Sequence, residues 1–126
     1  MAHPVVERYL SATERWQQGD MSAMADAFTD DVVWHEAGSK EPLRGKQAVL
    51  ERFNAMGAAT SQITLHSVVA DDEHLAVFGH ARFTRDGESI EYDYVEEMDL
   101  RDGLVSERWS FMDAVPDDVA RFFATG

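Results

Sequence analysis

Apolar residues follow a helical rhythm in the first half of the chain and strict alternation in the second. Val6, Tyr9, Leu10, Thr13 and Trp16 recur at helical spacing and predict a helix over 4–18. Pro4 suits its first turn, where the missing N–H is not needed. Gly19 is placed to end it. Asp20 is placed to cap a second helix with Met21, Met24, Ala25 and Phe28 on one face. Thr29, Asp30 and Asp31 close that helix. A short strand is predicted over 32–36, with Val32, Trp34 and Glu36 on one face and Val33 and His35 on the other. Gly38 and Pro42 mark a loop, and Gly45 opens a third helix that reaches Met56.

From residue 63 onward the period is two. Strands are predicted over 63–70 and 75–85, joined by the acidic turn Asp71-Asp72-Glu73. The longest alternating stretch, 88–113, holds two strands around Asp102-Gly103, a dipeptide that tolerates the positive φ of a tight hairpin turn. Asp86-Gly87 joins this hairpin to the preceding strand in the same way. Helical spacing returns over 115–124, with Pro116 in the first turn and Val119, Phe122 and Phe123 as its stripe. Helices followed by a run of antiparallel strands predict an α+β domain. A long curved sheet with helices on one face leaves a cone-shaped hollow, and such hollows bind small molecules.

One carboxylate interrupts an apolar face. Ile90, Tyr92, Tyr94, Met98 and Leu100 share one side of their strand, and Glu96 falls among them. A buried carboxylate is costly unless it is paired, hydrogen-bonded or protonated. Glu96 is therefore a candidate acid with a raised pKa. The alternatives are a bulge that turns it outward and an internal pair with Arg82 or His80. Glu36, at the end of its strand, is a candidate general base or a solvated loop carboxylate. His80 shares a face with Ala76, Phe78 and Arg82. If Phe78 points inward, so does His80, which could then exchange a proton with Glu96; otherwise it is a core or interface histidine. His35, opposite Trp34, is structural or interfacial. Trp34, Phe53, Phe78, Tyr92, Tyr94 and Trp109 are the candidate ligand-binding wall, with Arg82 as its charged member.

Composition narrows the partners. The 126 residues carry a formal net charge of −13, which repels nucleic-acid backbones and anionic lipid and favours a neutral or cationic ligand. The absence of cysteine removes disulfides, thiolate metal sites and Cys nucleophiles and fits a reducing compartment. With no secretory h-region and no membrane-length apolar run, a cytoplasmic protein is expected. His3, His66 and His74 have no partner at metal-ligand spacing, and phosphate- or dinucleotide-binding motifs are absent, so neither metal nor cofactor is expected.

The Gly19-Asp20 junction, FTDDVVWH over 28–35 and LRGKQAVLERF over 43–53 carry a resemblance. With the element order, they resemble the SnoaL-like group of the nuclear-transport-factor-2-like (cystatin-like α+β cone) superfamily, over essentially the whole chain. The resemblance implies a single domain with a cone-shaped pocket and, often, a homodimer through the open face of the sheet. The superfamily includes ketosteroid isomerases, polyketide cyclases, limonene-epoxide hydrolases and non-catalytic members. By position, the isomerase base falls on Glu36 and its protonated acid on Glu96, two residues before Met98. The isomerase's first-helix hydroxyl falls near Ala12, where this chain has none; Thr13 or Trp16 could replace it only with a different geometry, and Tyr92 and Tyr94 could also supply a hydroxyl donor. The hydrolase's Asp, Arg and Asp find only Arg82 and Asp113 as counterparts. The implied function is cofactor-independent acid–base chemistry of isomerase, cyclase or hydratase type on a hydrophobic carbonyl or cyclic compound. A non-catalytic ligand-binding or dimerisation module is the alternative.

Overall fold

Asp86 and Asp102 both adopt positive φ, 53° and 55°, and each is followed by a glycine with positive φ. Both Asp-Gly dipeptides therefore make the tight turns expected of them, and they fold the second half of the chain into a meander. The computed structural model describes residues 3–37, 39–56, 60–113, 118 and 121–122. In chain order the elements are α1 (Pro4–Gln17), α2 (Ser22–Ala27), β1 (Phe28–His35), β2 (Leu43–Arg44), α3 (Lys46–Met56), β3 (Thr60–Ala70), β4 (His74–Arg85), β5 (Glu88–Arg101) and β6 (Leu104–Met112). One six-stranded sheet runs in the order β2-β1-β6-β5-β4-β3. Among the described residues, only the β1–β6 pair is parallel.

Two elements differ from the sequence expectation. β1 begins at Phe28, where a helix end was expected, because Phe28 pairs with Val105 and both Phe28 and Thr29 are buried. Tertiary pairing here overrides the local Thr-Asp-Asp helix-stop signal. β2 is two residues long, too short to show any period, and it exists because Leu43 and Arg44 pair with Trp34 and Val33. Asp20 accepts hydrogen bonds from the N–H and hydroxyl of Ser22 at 2.9 and 2.7 Å, and Met21 occupies the cap position. The terminal helix expected over 115–124 lies mostly outside the described residues; Asp118, Arg121 and Phe122 are helical.

α1 lays Val5, Ala12 and Trp16 against the sheet. Trp16 meets Phe53 and Phe83 edge-on, with centroids 5.7 and 6.2 Å apart. Phe83, Leu75, Met98, Val32, Val49 and Val77 are fully buried. Each such side chain contributes about 1.5–3 kcal/mol over its exposed state. Among the described residues no helix is long and apolar enough to cross a membrane.

The phase of each strand decides what faces the helices. On β5 the inward positions are Tyr92, Tyr94, Glu96 and Met98. On β4 they are Leu75, Val77, Ala81 and Phe83. Phe78, His80 and Arg82 therefore face outward, contrary to the expectation that they line the hollow. β4 offers two apolar rows, and burying Leu75, Val77, Ala81 and Phe83 removes more apolar area than burying Ala76 and Phe78. β6 changes phase midway. Asp99 faces Glu107 and Leu100 faces Val105, so Ser106 is an extra, bulged residue. Unbroken alternation from Val105 would turn Trp109 inward; the bulge turns Arg108, Ser110 and Met112 toward the hollow instead.

Candidate active site

Glu96 is 7% exposed and lies on the cavity-lining face of β5. Its cross-strand partner on β6 is Ser110, and Arg108, opposite Met98, is its diagonal neighbour. Trp34 on β1 flanks Arg108 from the other side. Three adjacent strands thus bring together an indole, a guanidinium and a carboxylate. Arg108 donates from Nε to Glu96 Oε2 at 2.7 Å, and its guanidinium carbon lies 4.0 Å from the Trp34 ring centroid. From the helical layer, the Tyr9 hydroxyl donates to Glu96 Oε1 at 2.9 Å. Arginine stays charged in proteins, so this arrangement is a carboxylate–guanidinium pair with a phenol attached. The internal pair considered for Glu96 exists, with Arg108 in place of Arg82 or His80. Both carboxyl oxygens accept hydrogen bonds, which does not suit Glu96 to be a protonated donor.

The cluster forms part of the wall of a cavity of about 130 Å³. That is comparable to the roughly 150 Å³ apolar cavity that accepts a benzene ring. Trp16, Phe28, Phe53, Phe83 and Met98 supply much of the wall, and the polar atoms come from few residues. Tyr9, Tyr92 and Tyr94 all keep their protons. Burial, and then the neighbouring Glu96 charge, push Tyr9 and Tyr94 well above the usual phenol range. Burial above all pushes Tyr92 up to about 12. Tyr94 lines the same wall beside Tyr92, with ring centroids 6.3 Å apart. Among the described residues, the Tyr92 hydroxyl has no hydrogen-bond partner. It is a neutral donor on the cavity wall with its proton unclaimed.

A sequence profile of the SnoaL-like domain matches residues 6–108. The chain belongs to the SnoaL-like domain family. Solved structures share its fold at low identity. An NTF2-like protein of unknown function from Burkholderia pseudomallei superposes with a TM-score of 0.77 at 16% identity, covering 94% of this chain and 96% of that one. An LEH-like epoxide hydrolase from M. tuberculosis gives 0.76 at 15% identity, covering 97% and 90%. IdmH, a candidate polyketide cyclase from Streptomyces antibioticus, gives 0.73 at 17%, covering 98% and 100%. No functionally curated protein matches.

In this SnoaL-like chain Trp34, Phe53, Tyr92, Tyr94 and Glu96 line one cavity. Glu36 does not line it. Its Oε1 accepts from Arg52 Nε at 2.8 Å, so α3 anchors the end of β1. The pair is within electrostatic reach of Tyr92. His80 is held on the outer face by Asp93 at 2.8 Å and Glu91 at 3.1 Å. Those two hydrogen bonds, Asp93 first, raise its pKa. Phe78 contacts His66, and Arg82 lies opposite Glu91. Trp109 stacks on His35, centroids 5.0 Å apart, while His35 pairs with Glu107 at 2.7 Å. Asp113 accepts the Asp93 N–H at 2.8 Å and so caps the end of the sheet. None of these outer-face groups approaches Glu96.

Tyr9 and Arg108 are site residues that the sequence reading passed over. Tyr9 falls one turn before Ala12 in the same inward stripe, and its hydroxyl demanded a partner once buried. Arg108 was hidden by the Ser106 bulge. For metals, His74, Glu97 and Asp99 each bring one ligand atom to within 4.8 Å of the others. Spacing gave His74 no such partners, because β5 supplies them from across the sheet. This group stands apart from the cavity.

Proposed function

We propose that this SnoaL-like protein is a cofactor-independent enzyme that moves a proton beside the carbonyl of a compact, hydrophobic cyclic compound. The reading is carried by one observation: a buried Glu96, held by the Arg108 guanidinium, on the wall of an otherwise apolar cavity. Arg108 makes it possible to hold that charge in the interior. In the proposed step the C–H proton passes to a Glu96 oxygen. The C–H electron pair moves through the α-carbon onto the carbonyl oxygen, which accepts a hydrogen bond from the Tyr92 phenol. Returning the proton to a different carbon gives an isomer, and attack of the enolate on a second carbonyl gives a ring. Glu96 takes the part of base that the resemblance gave to Glu36, because Glu36 is bound to Arg52 away from the cavity lining. A volume near 130 Å³ favours a single ring. A fold shared with an epoxide hydrolase and a candidate polyketide cyclase supports chemistry on small molecules.

A non-catalytic binding module is the second reading. It is favoured by Arg108 and Tyr9 engaging both oxygens of Glu96. A panel of monocyclic enones, ketones and epoxides, assayed with wild type and Glu96→Gln, separates the two. Catalysis predicts a turnover loss of about 10²–10⁴-fold with affinity retained. Equal turnover removes Glu96 as the base, and binding with no turnover in either protein assigns the cavity to binding alone.

We further propose a homodimer through the outer face. Phe78, Val95 and Phe111, 44%, 45% and 64% exposed, are successive cross-strand partners on β4, β5 and β6. Such a continuous apolar row suits a second copy of the chain. Phe111→Lys is expected to convert the dimer to monomer in sedimentation; a wild-type monomer would refute the proposal.

A further inference from the structure

Arg8 is the one exposed residue among those described that line the cavity. Its position follows from α1: Val5, Tyr9 and Ala12 turn inward, and Arg8 stands at the edge of that stripe, at the rim. Its Nη2 donates to the Gly103 carbonyl at 2.8 Å, across to the β5–β6 turn. Gly103 has φ +79°, and a Cβ there would lie 3.0 Å from Nη2, so the turn leaves room for this guanidinium.

A carbonyl does not neutralise a charge. The chain has 24 acidic and 11 basic residues, and Lys46, Arg52, Arg101 and Arg108 each pair with a carboxylate. Arg8 does not pair with one among the described residues. Its helical neighbours at three and four positions are Pro4, Val5, Ser11 and Ala12, none of them acidic. The adjacent Glu7 and the turn residue Asp102 make no ion pair with it. An uncompensated guanidinium at the mouth of an apolar cavity suits a planar anion.

Resting on the proposed small-molecule reading, we infer that Arg8 is a specificity residue that receives a carboxylate carried on the ring compound bound inside. This refines the expectation, drawn from the net charge of −13, that anions are disfavoured. The diffuse surface charge is screened within about 8 Å at physiological salt. A direct guanidinium–carboxylate contact is screened far less, so the local contact governs selection.

The probes are 3-phenylpropanoate, 3-phenylpropanamide and cyclohexanone, with binding to the full chain followed by calorimetry. Wild type is expected to bind the acid at least about 10-fold more tightly than the amide, the effect of one charge-assisted hydrogen bond. In Arg8→Gln, which keeps an N–H donor for Gly103, the acid-to-amide ratio should fall to near one. An unchanged ratio in Arg8→Gln, or no acid preference in wild type while cyclohexanone still binds, overturns the role of Arg8 and leaves the cavity reading standing. Failure of wild type to bind cyclohexanone and the amide overturns the cavity reading, and this inference with it.

Discussion

The Tyr9 hydroxyl crosses from the helical layer to the sheet and donates to Glu96 Oε1 at 2.9 Å. This contact ties α1 to β5 through the proposed catalytic group. Tyr9→Phe keeps the ring and removes the donor. Loss of one hydrogen bond to a buried carboxylate costs about 1.5–3 kcal/mol. Urea denaturation should show a drop of that size. Turnover of any substrate found should fall together with it, because Glu96 loses one of its two positioning contacts.

Arg108 and Glu96 are a buried pair, with side chains 12% and 10% exposed. Removing one partner leaves the other charge uncompensated. Arg108→Met is therefore expected to destabilise the fold by about 3–5 kcal/mol. The double variant Glu96→Gln/Arg108→Met should recover much of that loss, because neither charge remains. Urea midpoints of the two single variants and the double variant close the cycle. Additive losses would mean that the two residues do not interact.

Gly79 faces Tyr94 across the β4–β5 ladder. A Cβ at residue 79 would lie 2.6 Å from the Tyr94 hydroxyl oxygen and 2.7 Å from its ring carbon Cζ. The ring is rigid, so Gly79→Ala must swing Tyr94 away from its place on the cavity wall. A cost of about 1–3 kcal/mol is typical of overpacking. Cyclohexanone affinity should change as well, because Tyr94 lines the cavity. An alanine variant with wild-type stability and affinity would show that Tyr94 has no fixed position.

His80 has a raised pKa, first through Asp93 and then through Glu91, relative to its ordinary value of 6.5. A raised histidine binds its proton more tightly in the folded state. Its stabilising effect is therefore fully present below about 6.5 and is lost as the pH rises through the higher folded value. The melting temperature of wild type should decline across that interval. His80→Gln should flatten the decline, and an identical pH profile in the variant would remove His80 as its source.

Much of the fold was legible because its signals are local. The Asp86-Gly87 and Asp102-Gly103 turns need positive φ, and the Val6-to-Trp16 stripe needs a partner face. Glu96 stood out for the same reason, as a charge in an apolar row. What stayed hidden depended on contacts distant in sequence. The Ser106 bulge reversed the facing of Arg108 and Trp109, and a bulge leaves no mark in a two-residue period. β4 could be phased either way by its aromatics, and total buried area decided against Phe78 and His80. Glu36 alternates correctly with Trp34, yet Arg52 on α3 claims it, and no pattern within β1 reveals that partner.

The central claim is that Glu96 accepts a proton from carbon inside the cavity. Solvent deuterium exchange at the α-carbon of cyclohexanone, followed by proton NMR in D₂O, measures that event without knowledge of the natural substrate. Wild type is expected to accelerate the exchange over buffer, and Glu96→Gln to slow it by at least about 100-fold. No acceleration by wild type, or equal acceleration by Glu96→Gln, would contradict the account.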